Sequence, residues 1–118
     1  MTGSEKQINW ANEIINSTRE RVTVSLNEAK ARHAHLSVNA EVEQRENEIL
    51  AGRTVAAELV LRKLSEIDSA KYVIDNRVNL HVALLKDNMR SLSSAEIAAL
   101  QGLAKHVDSS KFFGFVFA

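Results

Sequence analysis

Apolar positions between Ser4 and Leu36 recur at helical spacing. Ile8, Ile15, Val22, Leu26, Ala29, His33 and Leu36 follow one another at steps of seven, four and three, which places them on one face of a helix as its buried side. Trp10 and Ile14, four apart, form a second patch that flanks this stripe. Ser4 and Gln7 have the spacing of a capping box, and Glu5 in the first turn suits the positive end of the helix dipole. Arg21 to Ser25 argues for a strand, because it alternates and is rich in β-branched residues. A lone strand between helical flanks has nothing to pair with, so helix is expected, bent near Val22 at most.

Ser37-Val38-Asn39 reads as a short break, and Asn39 as the cap of a second helix with Glu41 and Glu43 in its first turn. Val42, Ile49, Ala56, Val60, Leu64 and Ile67 make its stripe, with Leu50, Ala57 and Leu61 beside it. Gly52 costs roughly 1 kcal/mol against alanine inside a helix. Either the helix runs through Gly52 or Thr54 caps a new one; a continuous or gently kinked helix is expected. Val55–Leu61 is apolar on nearly every side except at Glu58, which predicts the centre of the bundle.

A third helix is predicted from Asp68 or Ser69, with Ile74, Val78, Leu85 and Met89 buried and Val82 and Leu84 widening the stripe. Asp75 and Asn76 are turn formers that could split it. Ser93 and Glu96 form a second capping box, opening a fourth helix whose buried face is Ile97, Leu100, Leu103, Ala104 and Val107. The tail, residues 111–118, holds all four phenylalanines, and Phe113, Phe115 and Phe117 alternate as in a strand. Such a segment either docks over the bundle as a lid or packs against another chain.

Composition narrows the class. The chain has 118 residues, no proline, four glycines and only 5% aromatics, so its core is built mainly from Ile, Leu, Val and Ala on uninterrupted helices. The expected architecture is one all-α domain over 1–118, a bundle of four to five helices with a short extended C-terminal segment. Fifteen basic residues balance fifteen acidic ones, which argues against a dedicated nucleic-acid binder. The absence of cysteine excludes disulfides and thiolate metal sites and fits a reducing cytoplasm. The polar opening MTGSEKQ gives no expectation of a signal peptide, and no apolar run reaches membrane-spanning length. A cytoplasmic protein is expected.

Two motifs then suggest an origin. Glu5-Lys6-Gln7-Ile8-Asn9-Trp10-Ala11 resembles the EKQIxWA opening of small uncharacterised proteins of bacteriophages and integrated mobile elements. Ser69 to Arg77 resembles a later segment of the same proteins, in which a pair of aromatics precedes Ile-Asp-Asn-Arg; this chain departs from that pattern, with Tyr72 aromatic and Val73 in place of the second ring. The resemblance implies a phage or mobile-element origin in a bacterial host cell and supplies no catalytic residues. It further implies the behaviour of small phage proteins that bind and inhibit host machinery, anti-CRISPR proteins among them.

Candidate chemistry is sparse. His33 and His35 are two apart and diverge on a helix, whereas zinc helices use four-residue spacing. His81 and His106 have no acidic residue at ligand spacing, so no metal and no cofactor are expected, and His33 reads as a hydrogen-bonded core or boundary histidine. No P-loop, nucleophile-elbow or dinucleotide glycine pattern occurs, so an enzyme is not expected. Glu41, Glu43, Glu46 and Glu48 are either a solvated helix face or a docking surface for a basic groove. Trp10 and Tyr72 either pack between the first and third helices or join Lys6, Gln7, Asp75 and Arg77 in one exposed patch. The packing alternative makes Trp10→Ala mainly destabilising. Phe112, Phe113, Phe115 and Phe117, with the two patches of the first helix, raise the expectation of a homodimer. The expected partner is a host protein or ribonucleoprotein complex, with a nucleic-acid accessory role as the alternative.

Overall fold

The computed structural model describes residues 1–34 and 39–117. His35, Leu36 and the break at Ser37-Val38 lie outside the described residues. Among the described residues the chain forms six α-helices and no strand, an all-α bundle. They are α1 (Glu5–Ala34), α2 (Ala40–Leu64), α3 (Ala70–Asp75), α4 (Leu80–Asn88), α5 (Ser94–Ala104) and α6 (Phe112–Val116). At 1.5 Å per residue α1 is about 45 Å long. That length sets the long axis of a molecule measuring 55 × 27 × 23 Å.

α1 runs unbroken through Val22, so the β-branched stretch is overridden by the stripe around it. Ala11, Ile15, Thr18, Val22, Leu26 and Ala29 are buried, and the Thr18 hydroxyl donates to the Ile14 carbonyl at 2.8 Å. The capping box closes as predicted, with Ser4 N–H donating to Gln7 Oε1 at 2.9 Å and Gln7 N–H to Ser4 Oγ at 3.2 Å. Just upstream, Thr2 exchanges backbone hydrogen bonds with Asp68 and Ala70. Gly3 makes the turn between this bridge and α1 at φ +139°, a conformation that favours glycine.

α2 is the central element and packs against α1, α4, α5 and α6. Asn39 caps it by accepting from Val42 N–H at 3.0 Å, and the helix passes through Gly52 without a break. The glycine is there for the crossing with α5. A Cβ at Gly52 would stand 2.4 Å from Leu103 Cβ and 3.0 Å from the Ala99 carbonyl. Losing roughly 1 kcal/mol of helix propensity is offset by the close approach it permits. Ala56, Ala57, Leu59 and Val60 are buried beyond it, the predicted centre.

Ser69 caps α3, and the helix ends at Asp75. Asn76 terminates it, donating its side-chain amide to the Tyr72 carbonyl at 2.8 Å. The interruption shifts the helical phase, which corrects one predicted stripe. Val78 falls in the turn at 79% exposure, while Leu80, His81, Leu84 and Leu85 are buried on α4. On α5 the Ser93–Glu96 capping box is formed, but Ile97 and Ala104 are exposed. The buried face is Leu100, Gly102 and Leu103, with Leu103 and Ala99 against Gly52 of α2 and Gly102 beside Glu48.

The tail corrects the expectation of an extended segment. It is a short helix that turns back onto the bundle, with Val116 and Phe117 buried. Ser25 Oγ donates to the Phe117 carbonyl at 2.8 Å, and Arg53 Nη2 donates to the Phe115 carbonyl at 3.2 Å. The Arg53 guanidinium also lies over the Phe115 ring at 4.6 Å, and Lys86 covers Phe113 at the same distance. Phe117 meets His81 edge-on, with centroids 4.9 Å apart. Helical folding satisfies backbone groups that a lone strand would leave unpaired.

Candidate functional site

The two resemblance-bearing motifs meet in space. The start of α1 packs on α3, with Ala11, Ala70 and Val73 fully buried between them. The Thr2 bridge ties the chain start to the cap of α3. Trp10 lies on the outer flank of this junction at 45% exposure. Arg77, in the turn after α3, lies over the indole with its guanidinium carbon 5.4 Å from the ring centroid, while Nη1 donates to the Ile74 carbonyl at 2.7 Å. Burial of Trp10 between the helices is therefore not what occurs. α3 is only six residues long, and what reaches the indole is the turn that follows it.

The remaining members of the predicted patch part company. Gln7 is engaged in the α1 cap, and Lys6 is exposed. Asp75 accepts from Lys71 Nζ at 2.6 Å across one helical turn, a surface pair of small stabilising effect. Tyr72 faces a different hollow, lined also by Lys63, Asp68, Leu84 and Asp87. Its hydroxyl donates to Asp87 Oδ2 at 2.8 Å, and burial together with that carboxylate raises its pKa well above the ordinary value.

The acidic run divides likewise. At about 100° per residue Glu41 and Glu48 share one side of α2, while Glu43 and Glu46 lie opposite. Glu41 and Glu48 border a hollow with His106, where Glu48 stands 3.4 Å from Lys105 Nζ and 3.6 Å from His106 Nε2. Glu46 lines the crevice with Arg32, His33 and Arg53, and pairs with Arg45 at 3.4 Å. His33 bonds the Asn47 side chain and is half-buried, the boundary one of the two roles expected of it.

The hollow beside Trp10 contains residues that spacing did not single out. Glu13, Ser17, Arg21, Arg77 and His81 line it together with the indole, around a volume of about 340 Å³. Glu13, Ser17 and Arg21 are successive i,i+4 positions on the flank of α1, below Trp10. His81 is only 5% exposed, and burial with Arg21 nearby pushes its pKa below the ordinary value, so it is neutral at pH 7. A histidine four residues after Arg77 was the sole trace of this in the sequence. Only the α3–α4 turn brings it under α1.

No protein-family model, curated protein or solved structure matches the chain. The resemblance to phage proteins therefore stands on its two motifs. Among the described residues no group of three or more His, Asp or Glu side chains is arranged to hold a metal, and no helix is long and apolar enough to cross a membrane.

Proposed function

We propose that the chain is a non-enzymatic protein of phage or mobile-element type that binds a host defence complex and inhibits it through protein–protein contacts. The observation that carries this reading is the Trp10–Arg77 pair, displayed where the two motifs fold together. Tryptophan and arginine are the residues on which interfaces most often depend. A tryptophan exposed by nearly half leaves a large apolar surface that a partner can cover. Of the four tail phenylalanines Phe117 is buried, while Phe112, Phe113 and Phe115 are half-buried and keep surface that a second copy could cover.

The test is phage plating on a panel of bacterial hosts, each carrying one defined CRISPR or restriction system. The wild-type chain restores plaques against one of these systems, and Trp10→Ala and Arg77→Ala abolish the effect while accumulating as folded protein. Failure of the wild type against the whole panel, or full protection by both variants, overturns the reading.

A nucleic-acid accessory role has one observation in its favour, since Arg77 lies over the indole and Arg21 lines the same hollow, a basic setting beside an aromatic ring. Binding of that kind falls steeply with salt, whereas a packed protein interface does not.

A further inference from the structure

The hollow under Trp10 has chemistry that specifies what enters it. Arg21 is exposed and pairs with no carboxylate among the described residues. Arg77 uses Nη1 on the Ile74 carbonyl, which leaves its other guanidinium N–H groups available. His81 lines the same hollow, is 5% exposed, and makes no side-chain hydrogen bond among the described residues. Its ring nitrogens are not among the enclosed unpaired polar atoms of the described residues, so the imidazole edge is open to a ligand atom in the hollow.

We infer that this hollow receives a glutamate or aspartate side chain of a protein partner, its carboxylate held between Arg21 and Arg77 and hydrogen-bonded by His81. Trp10 covers the aliphatic stem of the incoming residue. The inference rests on the partner-binding reading of the Trp10–Arg77 pair and adds the partner's chemistry to it. A phosphate shares the anionic character, but Glu13 stands on the same wall and the chain has no net charge. Two guanidinium groups and one carboxylate suit a single acidic side chain. A strand of phosphates calls for a larger basic excess.

Trp10 is the chain's one tryptophan, so its fluorescence reports on the hollow directly. The full chain is titrated with an end-blocked hexaglutamate peptide, its hexaglutamine counterpart and an oligothymidylate. Hexaglutamate is expected to give a saturable change and hexaglutamine none. Arg21→Gln weakens hexaglutamate binding about tenfold, the size of one charge-assisted hydrogen bond. Glu13→Gln tightens it by removing a like charge, a gain that misfolding cannot imitate. The inference is overturned by no saturable response to hexaglutamate, by an unchanged affinity in both variants, or by oligothymidylate binding more tightly with a steep salt dependence. Hexaglutamate binding without phage protection sinks the inhibitor reading and leaves this one standing; protection without hexaglutamate binding does the reverse.

Discussion

The two aromatic regions of the chain are treated oppositely. Trp10, near the start, lies on a long helix and keeps 45% of its surface exposed with one guanidinium over it. Phe117, near the end, lies on a short segment and is 8% exposed, wedged against His81 with its carbonyl held by Ser25. By sequence the tail looked the stickier of the two. What separates them is whether the bundle offers a groove and backbone partners. For the tail, α1, α2 and α4 supply Ser25, Arg53, His81 and Lys86; for Trp10 the neighbouring helix stops too soon. His81 touches both regions, because it borders the Trp10 hollow and packs on Phe117.

This contrast can be broken from the tail side with the largest effect. Phe117→Ala removes a buried ring and is expected to cost about 3 kcal/mol of stability, read from chemical denaturation. A loss near zero would mean that the tail is not docked in solution. Arg53→Met keeps the aliphatic stem but loses the cation–ring contact and the bond to the Phe115 carbonyl, at an expected cost of about 1–2 kcal/mol. The same substitution should increase amide exchange in α6 before that in α2.

A pH series sharpens the link between the regions. His81 has a lowered pKa in the folded chain, so the unfolded chain takes up this proton first as the pH falls. The stability it contributes is complete above about pH 6.5 and is lost as the pH drops toward the lower folded value. Thermal melts from pH 8 to pH 5 should slope downward for the wild type and less so for His81→Leu. Equal slopes would exclude His81 as the cause. Trp10→Ala removes a ring that is already nearly half exposed and is expected to cost about 1–2 kcal/mol, coupled with complete loss of phage protection. A large drop in melting temperature would instead restore Trp10 to a packing role.

How much could be read in advance depended on the range of the interaction. Ser4 with Gln7 and Ser93 with Glu96 were legible because a cap is satisfied within four residues. The stripe of α1 from Ile15 to Ala29 was legible because nothing interrupts its period. Val78 was misassigned because a break at Asp75 resets the phase, and single-helix periodicity cannot carry across a turn. The candidate site was half legible: Trp10 and Arg77 stood out in their motifs, whereas Arg21 and His81 joined them only through folding.

The sequence by itself determined that this chain is helical, where its main helices begin, and that α2 holds the centre. Those properties follow from spacing, capping and the scarcity of glycine and proline, all of which act locally. Tertiary structure alone decided the rest. It made a helix of an alternating phenylalanine tail and gave Gly52 its purpose in the approach to Leu103. It also separated Tyr72 from Trp10 and set His81 beneath Arg21. Each of these outcomes depends on which surface lies opposite, and that is settled only when the helices pack.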